Sequence, residues 1–399
     1  MRFLKRRTRL ALIALGGILF TVLCIEHLSY LHNTTYWPEI DKSKEDVLRI
    51  LFVADPQIQG EEMEHFLYGW VTRWDADKYL QKNYRLAKNH VLPHVVVFLG
   101  DLFDEGSIAS DPAYRRYFSR FRKIFSLPKR QDSSPSSIKY VFVPGDNDVG
   151  GERSEPVNDI KVNWFAKLFG DFKSVDNVDR SGIDVQFIKM NLFMPEQYKN
   201  PLKGFENVIN GTKKPDIRII VSHVSLLSYM TNSVEKVVEG FRPNLIISAH
   251  SHSSAYMRYT PGTSNQSPRI IHDFLLPSRK GTNKLDHDHE DLYTKSPFTL
   301  DLKSVSSELH EILVPTCSYR MGVSNMGYGA MELYRDGTMK YTVLWLPSRF
   351  KQLFLYAAVY ILMKIILTPF LCWKLGTFVC RKIKEMRVLD SAKQYIAIA

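Results

Sequence analysis

With 399 residues, 45% of them apolar, the chain is long enough to bury a full-sized core, which excludes a disordered polymer. The net charge of +11 would suit a nucleic-acid partner, yet residues 1–30 hold five Lys/Arg against one acid and residues 348–399 hold nine against two, which is the whole excess. A neutral middle between basic ends excludes a general nucleic-acid surface and points to membrane flanks.

Arg2, Lys5, Arg6, Arg7 and Arg9 precede an apolar stretch from Leu10 to Ile25 that continues through Leu28 and Leu31. The pattern predicts a cytosolic basic N-terminus over 1–9 and a transmembrane helix over 10–31. The clean run is shorter than the roughly 20 residues of a spanning helix, so a cleaved signal peptide is the alternative, although no small-x-small cleavage site follows. Either way the chain then enters the lumen, with a linker over 32–47 and one domain over 48–347.

That domain alternates strands and helices. Apolar runs predict buried strands over Arg49–Ala54, Val95–Leu99, Tyr140–Val143, Val185–Met190, Ile217–Val221 and Leu245–Ser248. Helical spacing marks Asp75–Val91, with an inner face of Tyr79, Leu80, Tyr84, Leu86, Ala87 and Val91, and Tyr114–Phe125, whose aromatic stripe reads as core. Gln131–Ser137 and Pro261–Pro268 are polar loops. The run Asp286-His287-Asp288-His289-Glu290-Asp291 reads as a solvated acidic loop, because adjacent residues in such a run rarely converge on one ion. Tyr328–Leu346 alternates around Asp336-Gly337 and predicts a hairpin that closes the domain.

A second apolar segment over 353–378 carries Lys364, Pro369 and Lys374 and is followed by Arg381, Lys382, Lys384 and Arg387. This is a stop-transfer pattern, predicting a tilted or packed second transmembrane helix with Lys364 snorkelling, and a cytosolic basic tail over 379–399; an interfacial amphipathic helix is the alternative. Both termini then face the cytosol. Three sequons, at Asn33, Asn210 and Asn265, fit a lumenal body. Cys317 is the sole cysteine between the apolar segments, so no internal disulfide framework exists there.

Five of these strands end at residues with chemical capability: Asp55 and Gln57, then Asp101, then Asp146 and Asn147, with His223, and with His250 and His252, after the later runs. Ligand sites of open α/β sheets lie beyond the carboxyl ends of strands, so residues far apart in sequence can converge. One such Asp would be a turn former or helix cap and one such His a structural residue; five strands ending this way are hard to assign to capping.

On these residues the chain resembles the calcineurin-like metallophosphoesterase superfamily, whose pattern is Asp-x-His, Gly-Asp-x-x-Asp, Gly-Asn-His-Asp, a lone His and Gly-His-x-His. The counterparts here are Asp55-Pro56-Gln57, Gly100-Asp101-Leu102-Phe103-Asp104, Gly145-Asp146-Asn147-Asp148, His223 and Ala249-His250-Ser251-His252. The resemblance spans residues 48–345 and implies a four-layer α-β-β-α sandwich. The phrase Leu99–Gly106 and the two-anchor layout look like the branch that removes an ethanolamine-phosphate side chain from the GPI-anchor glycan in the early secretory pathway, between endoplasmic reticulum and Golgi. It implies a membrane-embedded phosphodiesterase whose substrates are GPI-anchored proteins or GPI glycolipid, and whose action supports ER-to-Golgi transport of that cargo.

The resemblance also implies two divalent metal ions, manganese for this branch. Asp101 would bridge them, with Asp55, Gln57 and His252 around the first and Asp146, His223 and His250 around the second. Carboxylate and imidazole ligands suit Mn, Fe or Zn, and two such ions stabilise the attacking and leaving oxygens of an in-line displacement at phosphorus. Three positions depart from the pattern. Gln57 replaces a ligand His, Asp146 replaces a ligand Asn, and Asn147 stands where the family has its catalytic His. Asn147 and Asp148 are the candidate catalytic residues on this motif, with His65, in the loop after the first motif, as a substitute proton donor. The departures at Gln57 and Asn147 motivate a second expectation, a member of the fold that binds phosphorylated glycolipid or GPI-linked cargo with little or no turnover.

Overall fold

The computed structural model describes residues 15–42, 46–128, 137–151, 155–180, 182–211, 215–260, 269–273, 297–304 and 308–396. The basic residues of the N-terminus, most of the polar loop 131–137, the loop 261–268 with the Asn265 sequon and the acidic run 286–291 lie outside the described residues.

Residues Glu26–Ser348 form one unit built on two sheets. In the first, β1 (Val47–Val53), β2 (Val95–Leu99) and β3 (Lys139–Val143) run parallel. On the far side of β1 the sheet continues antiparallel through β12 (Gly327–Tyr334) and β13 (Thr338–Trp345) to β10 (Phe298–Asp301). In the second sheet, β5 (Ile183–Lys189), β6 (Ile217–Val221), β7 (Leu245–Ser248) and β11 (Leu309–Leu313) are parallel neighbours. The antiparallel strands β4 (Val175–Arg180), β8 (Ala255–Tyr259) and β9 (Arg269–Asp273) complete its edges.

The central parallel strands β2 and β7 are buried along their length, which is why they read as unbroken apolar runs. Alternate side chains of both sheets meet: Ile50, Phe52, Val95 and Val97 share a core with Ile217, Ile219 and Val221. The outer face of the first sheet is covered by helices α1 (Gly69–Val91), α2 (Asp111–Ile124) and, beyond the one-turn helix α3 (Asp146–Val149), α4 (Asp159–Phe169). Helix α5 (Asn232–Phe241) lies on the outer face of the second sheet through Val234, Val237 and Phe241. Helix, sheet, sheet, helix is the expected four-layer order. The stripe Tyr114, Tyr117 and Phe121 of α2 is core, with Phe121 packed tilted against both Phe98 and Phe125; truncating such a ring to Ala costs about 3–5 kcal/mol.

Two boundaries differ from expectation. Helix α1 starts six residues before Asp75, at Gly69, because its first turns carry outward-facing Trp70 and Trp74 that interrupt the apolar stripe. The stretch 32–47, expected as a linker, buries Trp37 and Ile40 in the unit. The closing hairpin forms at the expected Asp336-Gly337, with Gly337 at φ +97°.

A helix over Leu15–Thr34, whose residues from Glu26 on belong to this unit, has a mean hydropathy of 1.3; among the described residues it is the one long and apolar enough to cross a membrane. The second expected span falls within α6 (Arg349–Ile396), one helix of 48 residues. It does not end at residue 378, because the polar residues that follow are good helix formers, with Arg381 paired to Glu385 one turn on at 3.2 Å.

Candidate metal centre

The carboxyl ends of β1, β2 and β3 in one sheet and β6 and β7 in the other deliver Asp55, Asp101, Asp146, His223 and His250 in turn. Ligand-capable atoms of Asp101, Asp146, His223 and His250 lie within 4.8 Å of one another. To bring them there the chain bends sharply at the strand ends. Of the non-glycine residues described with positive φ, five are candidate site residues: Asp55, Gln57, Asp101, His250 and His252, at φ 45°, 38°, 51°, 63° and 58°. Asp and His tolerate this region better than most residues, yet it costs about 1–3 kcal/mol each, and such strain collects at functional sites.

Two glycines permit the approach. A Cβ on Gly100, itself at φ +92°, would lie 2.6 Å from His223 Nδ1, and one on Gly145 would collide with the Asp101 carboxylate. The buried His223 donates from Nδ1 to the Leu99 carbonyl at 2.7 Å. That bond fixes the tautomer and turns Nε2 toward Asp146 Oδ1 at 2.9 Å and Asp101 Oδ1 at 3.4 Å. His250 Nδ1 stands 3.3 Å from the same Asp146 oxygen.

The electrostatics call for a cation. Burial, with the neighbouring Asp101 and Asp146 carboxylates, pushes Asp55 up to about 8, and burial also raises Asp101. Burial works against charge at Asp146 and His223 too, but their mutual contacts win: the imidazoles of His223 and His250 hold Asp146 well below the carboxylate range, and Asp101 with Asp146 raises His223 to about 10. Asp55 is fully buried and neither carboxylate oxygen accepts a hydrogen bond; its nearest ionic neighbour is His223 Nδ1 at 3.9 Å, a proton already given to Leu99. An orphaned buried carboxylate beside this donor set is what a divalent ion would satisfy.

The remaining expected residues take different places. Gln57 Nε2 and Asn147 Nδ2 both donate to Asp101 Oδ2, at 3.0 and 2.9 Å, and the Asn147 backbone N–H donates to Oδ1 at 3.0 Å. Gln57 thus clamps Asp101 with its amide nitrogen; presenting its oxygen as a ligand requires the amide to turn over. His252 is half-buried next to this cluster, and burial followed by the charges of His250 and His223 lowers its pKa.

Asp148 and His65 stand apart from the four converging residues. Asp148 is fully buried, with its carboxylate accepting from the backbone N–H groups of Leu102, Phe103 and Gly145 at 3.1, 2.9 and 2.9 Å. It ties the Asp101 loop to the Asp146 loop. His65 stacks on Tyr68 at 4.3 Å and accepts from Leu67 N, contacts within its own loop and none with the cluster, because the aromatic residues beside it offer its ring a closer surface.

Sequence reading missed two carboxylates. Glu311, buried in β11, accepts from Leu226 N, Leu227 N, Ser225 Oγ and Ser248 Oγ at 2.9, 2.7, 3.0 and 2.6 Å, joining the loop after His223 to the strand before His250. Its signal was an acid inside an otherwise apolar strand. Glu105 accepts from the backbone N–H groups of Glu61, Glu62 and Met63, shaping the loop after Gln57; it stands in the Leu99–Gly106 phrase.

A family model described as calcineurin-like phosphoesterase matches residues 48–254. Metallophosphoesterase 1 homolog of Drosophila melanogaster is 37% identical over 116 residues, 29% of this chain and 28% of that protein. Metallophosphoesterase 1 of Ailuropoda melanoleuca is 31% identical over 172 residues, 42% of this chain and 41% of that protein. Cell division control protein 1 of Saccharomyces cerevisiae is 25% identical over 309 residues, 76% of this chain and 58% of that protein. The chain spans less than two thirds of the length of each.

Proposed function

Because the chain belongs to the calcineurin-like phosphoesterase family, we propose that it is a membrane-embedded, metal-dependent phosphodiesterase that removes an ethanolamine-phosphate side chain from the GPI-anchor glycan. The observation that carries this reading is the convergence of Asp101, Asp146, His223 and His250 on one point, with the orphaned Asp55 carboxylate beside it. Asp101, Asp146, His223 and His250 would hold one divalent ion, and Asp55, Asp101, His252 and a turned Gln57 a second, manganese in both. The ions would supply Lewis-acid charge for displacement at phosphorus. Around them the chain's own residues orient the site: Leu99 fixes the His223 tautomer, Asp148 and Glu311 hold the ligand loops, and Asn147 can donate a hydrogen bond to a phosphoryl oxygen in place of the family's His. An anchor at Leu15–Thr34, with α6 as a second span, keeps the enzyme in the membrane of its substrate and raises effective concentration. The two termini then face the cytosol and the domain the lumen of the early secretory pathway, between endoplasmic reticulum and Golgi.

The clamp of Gln57 and Asn147 amides on Asp101 Oδ2 favours a second reading, in which the domain binds phosphorylated glycolipid or GPI-linked cargo with little turnover. Full-length protein in detergent separates the two by its metal content and its hydrolysis of a generic phosphodiester with added Mn²⁺. The enzyme reading expects turnover that Asp101→Asn and His250→Ala abolish; bound metal with no turnover above those variants overturns it and leaves the binding reading.

A further inference from the structure

The segment from Met63 to Trp74 presents apolar and aromatic side chains to solvent although its backbone is tightly held. Met63 is 79% exposed, Phe66 84%, Leu67 64% and Trp70 65%, with Tyr68 and Trp74 more than half exposed. Residues 61–63 hang on Glu105, Glu64 pairs with Arg320 at 2.8 Å, and Asp75 accepts from Tyr319 at 2.9 Å. A Cβ on Gly60 would collide with Glu105, so this loop seats directly on that carboxylate. Trp70 and Trp74, one turn apart, share a face of α1. Anchored backbone and outward rings describe a surface built for an apolar partner, since monomers rarely expose contiguous patches of this kind.

The same helix meets the two places where the chain enters and leaves the unit. Five residues after Trp74, the Tyr79 hydroxyl donates to the Pro347 carbonyl at 2.9 Å and its ring packs against Tyr30 at 6.5 Å. Trp37 donates to the Trp345 carbonyl at 2.8 Å, and Asn33 donates to it as well. Entry and exit are therefore side by side against α1. At about 1.5 Å per residue, Trp70 lies only about 14 Å along the helix from Tyr79.

We propose that Met63, Phe66, Leu67, Tyr68, Trp70 and Trp74 seat in the headgroup region of the bilayer. Tryptophan, tyrosine and long apolar side chains favour that layer. The inference rests on the membrane-embedded reading above, which puts the bilayer at the entry and exit of the unit. The nearby acids are committed, Glu61 to Arg116 at 2.7 Å and Glu64 to Arg320, and Glu62 adds exposed negative charge, so the surface suits zwitterionic lipid better than anionic lipid. The loop begins at Gln57, beside Asp101, so this seating brings the mouth of the metal centre to headgroup level, where a lipid-borne phosphodiester would present its glycan.

Nitroxide labels test the depth. Phe66→Cys, Trp70→Cys and Trp74→Cys are made one at a time in the full chain with Cys24, Cys372 and Cys380 changed to Ala, labelled, and reconstituted in phosphatidylcholine vesicles. Ile160→Cys, on the exposed side of α4, is the control. The ratio of collisions with oxygen to collisions with a water-soluble nickel chelate is expected to be several-fold higher at the three patch positions than at Ile160. Equal ratios in vesicles that retain the protein after alkaline carbonate overturn the seating alone; release by carbonate overturns the membrane-embedded reading with it. Label-to-label broadening that vanishes on dilution with unlabelled chain assigns the patch to a second copy and overturns the lipid seating.

Discussion

Ser248 Oγ donates a 2.6 Å hydrogen bond to Glu311 Oε1, and through it the strand that leads to His250 is joined to the loop that follows His223. Glu311→Gln keeps the volume but replaces one acceptor by an amide that faces donors. Metal affinity is expected to fall about 10–100-fold, as for other residues that orient ligands, with the fold retained. Metal titration beside thermal unfolding checks this; unchanged affinity would mean that Glu311 serves the core alone.

Gly145 adopts φ −99°, a conformation open to alanine, so Gly145→Ala tests the contact with Asp101 without backbone strain. Displaced Asp101 is expected to lose metal, measured by elemental analysis, while the fold survives.

Asn147→His restores the residue type of the family's proton donor. If Asn147 is what limits turnover, hydrolysis of a phosphodiester rises by about 10²-fold or more. A restored variant no faster than the parent would place the limit at Gln57 or elsewhere.

His94 Nδ1 accepts from the Arg49 backbone N–H at 3.2 Å and its Nε2 lies 2.9 Å from Arg49 Nη2, and burial, then the charges of Arg49 and Arg180, lowers its pKa from 6.5 to about 4. On acidification the unfolded chain takes the proton first. The contribution of neutral His94 is full above pH 6.5 and lost progressively toward pH 4. Urea midpoints of wild type are therefore expected to fall more steeply across this window than those of His94→Gln.

Of the sequons, Asn210 is exposed, whereas the Asn33 amide is bound to the Trp345 carbonyl. In a lumenal domain Asn210→Gln is expected to reduce the mobility shift on deglycosylation and Asn33→Gln to leave it unchanged.

The strands β2, β6 and β7 were legible to the residue because a strand covered on both faces is mostly apolar. Edge strand β4, Val-Asp-Asn-Val-Asp-Arg, offers no such run and went unseen. The candidate ligands were legible because strand ends punctuate the sequence at Asp55, Asp101, Asp146, His223 and His250. The supports were not: Glu311, Glu105 and Asp148 act on backbone N–H groups, and nothing in a residue's neighbours along the chain tells which distant amide it will accept from. Gln57 and Asn147 showed as departures, but their shared hold on one oxygen of Asp101 exists only once β1, β2 and β3 are side by side.

Val47, at the start of the first strand, pairs with Tyr334, at the end of the first arm of the last hairpin. During synthesis β1, which leads into Asp55, therefore waits with one edge bare until almost the whole unit has emerged, and the hairpin that covers it is followed at once by α6. Pairing so distant in sequence is slow and leaves a strand edge open to other chains. The first candidate ligand is thus among the last parts of the site to be secured, and a chain stopped before residue 327 is expected to aggregate rather than bind metal.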